Sequence, residues 1–175
     1  MEYFMMRQDP RVHNVAKPVG EKVAMLRHIT RDEMNTASIP TNLFVQNGGK
    51  AEFPDFIEDP VMLVSEKLKK VMSKYQKDAV FKTVVLIERE TNRHEVYYLI
   101  SAPRIDCASC ETTYDARGNF KELVIDQDKV GHARIFFPVG NERRILVRLD
   151  VAESILRRHP YGVWFERIRV MPEEG

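Results

Sequence analysis

The sequence has only two cysteines, Cys107 and Cys110, and it lacks an apolar run long enough to cross a membrane. A transmembrane helix needs about 20 consecutive apolar residues. The first residues have neither a basic lead nor a long apolar core, so we expect no signal peptide. Few cysteines and no export signal favour a reducing compartment. We therefore predict a soluble cytoplasmic protein that does not contact a membrane.

The chain also has little excess of either charge sign. Its 27 basic and 26 acidic residues give a formal net charge of +1. A dedicated nucleic-acid-binding domain usually carries a strong positive excess, so nucleic acid is not the expected partner. Two basic groups could still attract phosphate or acidic proteins, which leaves a nucleic-acid adaptor as an alternative. They are the lysine stripe Lys70, Lys74 and Lys77 and the late arginines Arg143, Arg144, Arg157, Arg158, Arg167 and Arg169.

The length of 175 residues fits one domain, because domains typically have about 100–200 residues. A chain of this size buries roughly 70% of the surface that its unfolded form exposes, so it needs no disulfide or metal. Four prolines interrupt residues 8–58. We therefore predict a single domain over residues 1–175, with an irregular N-terminal part, 1–58, and a helix plus β-rich core, 59–171.

A helix is predicted to begin at Asp59-Pro60. The Asp59 carboxylate can accept the free amides of a first turn, and Pro60 suits the first helical position because it lacks an N–H. Lysines and acids occupy one side of the segment that follows, so we expect an amphipathic helix of about four turns. The apolar residues that recur at helical spacing are Val61, Val64, Leu68, Val71 and Tyr75.

Strand patterns dominate the second half of the sequence. Residues 80–87 are β-branched and aromatic, and residues 95–100 repeat this pattern after a short polar turn. The short gap predicts an antiparallel hairpin. A second hairpin is expected where a turn around Gly140 separates residues 133–137 from residues 144–148.

Two further segments complete the predicted fold. Asp150 and Glu153 have capping-box spacing, which predicts a short helix from Asp150 through Arg158. Residues 163–170 alternate as a terminal strand. Because strands and helices do not alternate regularly, the fold class is α+β rather than α/β. We predict an antiparallel twisted sheet with one longer and one shorter helix packed on it, and an irregular N-terminal segment.

No recognised catalytic motif is present. The sequence has no G-x-S-x-G, no P-loop and no G-x-G-x-x-G. Its five histidines include no pair at the i, i+4 spacing of a helical metal site. We therefore predict no catalytic residue, no cofactor and no metal site, and the sequence favours a protein that is not an enzyme.

Cys107 and Cys110 form a C-x-x-C, which has three interpretations. A structural zinc site needs four ligands, and no second C-x-x-C is present. A thioredoxin-like pair should precede a helix, but residues 111–114 have no helical pattern. Structural thiols are therefore favoured, and a small ligand-binding or redox-active domain remains an alternative. Its pocket would be lined by Arg104, Asp106, Cys107, Cys110 and Tyr114.

Several short motifs follow one another in a characteristic order. An Asp-Pro step, a small apolar run and a serine occupy residues 59–65, and strands with adjacent tyrosines and an Asp-Cys step follow. The motifs are Asp59-Pro60, Tyr97-Tyr98-Leu99, Asp106-Cys107, Lys129-Val130, Ile135-Phe136, Ala152-Glu153 and Gly162-Val163-Trp164-Phe165. Over residues 55–170 this order resembles a family of bacterial immunity proteins from polymorphic toxin systems.

The resemblance implies a binding protein rather than an enzyme. Such a protein would dock on a cognate toxin and block its active site or substrate groove, so it requires no catalytic residue. Interface anchors are expected among aromatic residues and arginines. A second copy of the chain is left open as a further partner. The nominated anchors are Tyr97, Tyr114, Arg144 and Trp164.

Overall fold

The computed structural model of the protein describes residues 1–36, 42–46, 48–141 and 143–172. In these residues the strands form two six-stranded sheets and a two-stranded ribbon, and five helices accompany them, which confirms the α+β class. The strands are β1 (Tyr3–Gln8), β2 (Pro18–Val19), β3 (Asn42–Val45), β4 (Phe56–Ile57), β5 (Leu63–Ser65), β6 (Val80–Glu88), β7 (Arg93–Ser101), β8 (Arg104–Ile105), β9 (Thr113–Tyr114), β10 (Phe120–Glu122), β11 (Val124–Ile125), β12 (Ile135–Pro138), β13 (Ile145–Arg148) and β14 (Val163–Val170). The helices are α1 (Glu21–Leu26), α2 (Arg31–Thr36), α3 (Glu66–Tyr75), α4 (Gln127–Val130) and α5 (Leu149–Leu156).

The first sheet has the strand order β2-β3-β6-β7-β5-β4. Its centre is the antiparallel hairpin β6–β7, in which Val80 pairs with Ser101 and Glu88 pairs with Arg93. The first predicted hairpin is therefore confirmed, and the β-branched and aromatic side chains of both strands account for it. β3 lies parallel to β6, so this sheet is not wholly antiparallel as the sequence predicted.

The second sheet has the strand order β11-β14-β1-β13-β12-β8. β1 lies in its interior, between the antiparallel neighbours β13 and β14. β12 and β13 form the second predicted hairpin, which is confirmed. The outer pairs β11–β14 and β12–β8 are parallel. The sequence predicted a single antiparallel sheet, but the described strands form two mixed sheets. The prediction failed because pairings between distant strands leave no local pattern in the sequence.

The N-terminal part, residues 1–58, is more regular than predicted. It supplies β1 at the centre of the second sheet, and β2, β3 and β4 to the first sheet. The short helices α1 and α2 bury Val23, Leu26 and Met34 against the first sheet. Pro18 begins β2, and Pro10 and Pro54 lie between strands, so these three prolines do not prevent short regular elements. Pro40 lies outside the described residues. That residues 1–175 form a single domain stays a prediction.

The long helix begins later than predicted. α3 starts after Ser65, whose hydroxyl accepts a hydrogen bond from the Leu68 N–H at 3.3 Å and caps the first turn. The Asp59-Pro60 step does not cap it, because Leu63–Ser65 forms β5 beside β7. Strand pairing thus overrides the local preference for a helix. α3 has 10 residues, which is about three turns rather than four.

The prediction that Asp150 and Glu153 form a capping box is also wrong. α5 begins at Leu149, after Arg148, and has no side-chain cap. The Asp150 carboxylate instead lies 2.6 Å from the Arg148 guanidinium. An acid in the first turn still stabilises the helix through the helix dipole. The helix ends at Leu156 rather than at Arg158.

Helices α3 and α5 fill the space between the two sheets. Val71 of α3 and Ile155 of α5 share one buried cluster with Ile100 of the first sheet and Ile145 of the second sheet. The other face of the first sheet is covered by α1 and α2, and the other face of the second sheet by residues 105–130. Within the described residues, no helix is long and apolar enough to cross a membrane.

Candidate functional site

The structure does not bring the eight nominated site residues together. Tyr97 lies inside the first sheet and exposes only 3% of its surface. Its hydroxyl donates a hydrogen bond to the Pro54 carbonyl at 2.7 Å, and burial raises the pKa of this hydroxyl well above its ordinary value. Tyr97 therefore stabilises the core and has almost no surface with which to contact a partner.

The C-x-x-C is divided between the core and the surface. Cys107 is buried in the cluster beneath the second sheet, whereas Cys110 is exposed. Burial raises the pKa of the Cys107 thiol to about 11, so this thiol stays protonated near neutral pH. Because the thiolate is the reactive form, the environment of Cys107 does not favour a redox-active pair.

Asp106 and Tyr114 lie at the surface on either side of the cysteines. Asp106 is exposed, and Tyr114 of β9 is 50% exposed while its ring centre lies 5.5 Å from that of Phe120. Among residues 1–36, 42–46, 48–141 and 143–172, no three His, Cys, Asp or Glu side chains are grouped so that they could hold a metal ion. Cys107, Ala108, Ser109 and Thr112 are buried, so the segment from Asp106 to Tyr114 is anchored on the core and exposes only part of its residues.

An exposed tryptophan lies on the second sheet. Trp164 of β14 pairs with Arg7 of β1 and exposes 50% of its surface. Its neighbours Val163 and Phe165 pack toward the helices, so Trp164 points to the opposite face of the sheet. The Arg11 guanidinium lies 6.0 Å from the centre of the indole ring, which is within reach of a cation–π contact. The indole therefore offers apolar surface flanked by cations.

Two arginines extend this face across neighbouring strands. Arg7 is fixed by ion pairs with Glu58 at 2.8 Å and with Glu166 at 3.6 Å. Arg144 directly precedes β13, and the register of β13 with β1 places it beside Arg7. We define the Trp164 surface as Trp164, Arg7, Arg11 and Arg144.

A cleft of about 480 Å³ opens where the two sheets meet. Its floor is apolar and includes Val61, Leu99 and Phe137, each of which is only 5% exposed. Strands β7, β8 and β12 and the loop after β4 position these residues, so the cleft is built on regular structure. Three exposed arginines also line the cleft, namely Arg27, Arg104 and Arg143. We call it the arginine cleft.

One carboxylate links two of these arginines. Oδ1 of Asp59 lies 2.9 Å from Nη2 of Arg143 and 3.6 Å from Nη2 of Arg27. Arg104 makes no ion pair with any other side chain that the structure describes. The second acid of the cleft, Glu58, is already paired with Arg7. The arginine cleft therefore has an excess of positive charge, and Glu58 connects it to the Trp164 surface.

Sequence reasoning found this site only in part. It nominated Arg104, and it counted Arg143 among the late arginines that could attract phosphate or acidic proteins. It did not find Arg27, and it assigned Asp59 to a helix cap. Asp59 and Arg143 lie 84 positions apart, so their contact depends on the tertiary fold and has no local signal in the sequence.

Three of the late arginines are paired with acids, and Arg158 donates to Ser154, which gives little support to a nucleic-acid adaptor. A continuous phosphate-binding stripe needs cations that are free to face the backbone of a nucleic acid. The pairs are Arg157 with Glu153, Arg167 with Glu2, and Arg169 with Glu111.

A separate exposed apolar area lies on the face of the first sheet that packs against α3, in the part of this face near β2 and β3. Val19, Phe44 and Val96 are 44%, 37% and 49% exposed. The strand register places Val19 beside Phe44, and Val96 lies on the same face beside Val85. The Arg89 guanidinium lies 3.8 Å from the centre of the Phe44 ring. This face gives the chain a second surface with an exposed aromatic residue.

Comparison with models of known protein families gives a match over most of the chain. The model of the Immunity protein family (Imm11) matches residues 44–170, which extend from β3 to the end of β14. This range contains Arg104, Arg143 and Trp164. No curated protein matches the chain. The resemblance to immunity proteins is thereby confirmed at the level of the family, and because the match covers most of the chain, the protein belongs to the Immunity protein family (Imm11).

Proposed function

We propose that this protein binds a protein toxin in the cytoplasm and neutralises it by covering a surface that the toxin needs. Membership of the Immunity protein family (Imm11) is the observation that carries the proposal. A protein that acts by occupying its target needs no catalytic group of its own. Its requirements are instead a preformed surface and a chemistry that complements the toxin.

The Trp164 surface and the arginine cleft together have the chemistry that this role requires. Tryptophan and arginine are enriched among the residues that dominate binding energy at protein interfaces. Half of the Trp164 side chain is open to solvent, and three further arginines line the adjoining cleft. Glu58 joins the two regions through its ion pair with Arg7. We therefore place the contact with the toxin on this continuous face.

The two alternative functions have weaker support. A redox-active domain would need a reactive thiol, and Cys107 is buried with a raised pKa. A nucleic-acid adaptor would need free cations, and Arg157, Arg167 and Arg169 are paired with acids. Neither alternative has an observation in its favour equal to the family match.

Co-expression tests the proposed function directly. The candidate to test first is a toxin encoded by a gene adjacent to the one that encodes this chain. Cells that express the toxin alone should stop growing, and cells that also express this chain should grow normally. The matched control is the chain with Trp164→Ala and Arg104→Glu, confirmed to be folded and equally abundant, which should protect poorly. Continued killing in the presence of the native chain would show that it does not neutralise this toxin.

A further inference from the structure

We infer that the arginine cleft receives a carboxylate side chain of the toxin, followed or preceded by an apolar residue, as the anchor of the complex. This inference rests on the proposed function and adds the chemistry of the toxin segment that enters the cleft. It assigns roles to Arg27, Arg104 and Arg143, which stabilise no core and contribute no catalytic chemistry.

The charges of the cleft select an acidic group. Arg27 and Arg143 share a single carboxylate, that of Asp59, and Arg104 has no acidic partner among the described residues. A planar guanidinium donates two parallel hydrogen bonds to a carboxylate, a geometry that an ammonium does not offer. An incoming Asp or Glu side chain would therefore supply the negative charge that the described residues of the cleft lack.

The shape and floor of the cleft select an apolar neighbour for that acid. A volume of about 480 Å³ lies within the range of roughly 300–1,000 Å³ that is usual for binding pockets. Val61, Leu99 and Phe137 form an apolar floor beneath the arginines. A carboxylate at the rim and a hydrophobic side chain on the floor would satisfy both parts of the cleft at once.

Two of the three arginines are already oriented in the free protein. Nη2 of Arg143 is held 2.9 Å from Asp59, and Nε of Arg27 donates a hydrogen bond to the Pro60 carbonyl at 3.1 Å. Fixing these side chains before binding lowers the entropy that the complex must lose. Arg104 has no ion pair with any residue that the structure describes, so a substitution there should change binding with little effect on folding.

Binding of purified toxin to single variants of the full chain tests this inference. Arg104→Glu should weaken the complex at least tenfold, and Arg104→Lys should retain part of the affinity. Lys50→Glu, which makes the same charge change at an exposed loop position outside the cleft, should bind within about twofold of the native chain. The affinity of the native chain should also fall more steeply with salt than that of Arg104→Ala, because one charged contact is missing in the variant.

A charge-swap scan then identifies the toxin residue. Acidic residues on the toxin surface are changed one at a time to lysine, and one change should restore binding to Arg104→Glu. The cleft inference is overturned if Arg104→Glu and Arg143→Glu both bind like Lys50→Glu, or if no lysine variant of the toxin restores binding. In that case the native complex still supports the proposed function. If the native chain does not bind the toxin at all, both proposals are overturned.

Discussion

The carboxylate of Asp55 accepts a hydrogen bond from the backbone N–H of Tyr161 at 2.7 Å, although the two residues lie 106 positions apart. The backbone N–H of Asp55 donates in turn to the Tyr161 carbonyl at 2.7 Å. The same carboxylate accepts bonds from the Ser65 hydroxyl at 2.6 Å and the Lys67 ammonium at 2.9 Å. One buried side chain thus joins the start of β4, the cap of α3 and the loop before β14.

Removal of this carboxylate should destabilise the whole fold. Asp55→Ala leaves three donors without their acceptor, and we expect the free energy of unfolding to fall by about 3 kcal/mol. Urea titration followed by circular dichroism measures the change. Asp106→Ala, an exposed acid, is the control and should change stability by less than about 0.5 kcal/mol. Equal stabilities of the two variants would contradict the role assigned to Asp55.

Gly162 should not tolerate a side chain. Its φ is +70°, and an added Cβ would lie 2.4 Å from Cβ of Pro54, so Gly162→Ala combines backbone strain with a steric clash. We expect a loss of about 3 kcal/mol or more in the free energy of unfolding. Gly118 has a similar φ of +81° with nothing within 4 Å of an added Cβ, so Gly118→Ala should cost only about 1 kcal/mol. Thermal unfolding of both variants measures the two losses of stability. Because Gly118→Ala has the backbone strain without the clash, the difference between the two losses is the cost of the clash. Equal losses would contradict a steric clash at Gly162.

Stability should fall at alkaline pH through Cys107. Burial raises the pKa of its thiol to about 11, so the unfolded chain releases this proton at a lower pH than the folded chain. The contribution of the protonated thiol is present below the unfolded pKa and is lost as the pH rises through the folded pKa. Between about pH 8 and pH 11 the loss should reach about 2–3 kcal/mol.

Cys107→Ala is the control for this pH dependence, since other groups also titrate in this range. Its free energy of unfolding should decline less steeply with pH than that of the native chain. Alkylation followed by mass spectrometry gives an independent reading. The exposed Cys110 should react first in the folded protein, and Cys107 should react only on unfolding. Parallel stability profiles, or equal alkylation rates for the two thiols, would contradict the burial of Cys107.

Two exposed aromatic residues should differ in their effect on the toxin complex. Trp164→Ala removes the apolar centre of the Trp164 surface and should weaken binding by about 2 kcal/mol or more. Phe44→Ala removes a 37% exposed ring from β3 of the first sheet and should leave the affinity within about 0.5 kcal/mol of the native value. Calorimetric titration of both variants compares the two surfaces. The opposite ranking would place the toxin on the first sheet.

The parts of the fold that the sequence predicted are those in which neighbours in sequence are also neighbours in space. The hairpin Val80–Glu88 with Arg93–Ser101 has this property, and so does the hairpin formed by β12 and β13. β1 could be predicted as a strand, but its place between β13 and β14 depends on residues more than a hundred positions away. No local pattern specifies such a pairing.

The error at Asp59 has a specific physical cause. Val61 and Val64 have the spacing of a helix, but over so few residues an apolar run also fits a buried strand. Pairing of Leu63–Ser65 with β7 resolves this ambiguity, and Ser65 then supplies the cap. Asp59 is left free to bind Arg27 and Arg143, and this is why the arginine cleft could not be derived from the sequence.

Inhibition of the purified toxin by increasing amounts of this protein tests the central claim most directly. Toxin activity should fall linearly and reach zero at about one equivalent of the native chain, because a binder that covers a required surface acts stoichiometrically. The variant that combines Trp164→Ala with Arg104→Glu should need a large excess to reach the same inhibition. Undiminished toxin activity at a several-fold excess of the native chain would contradict the account.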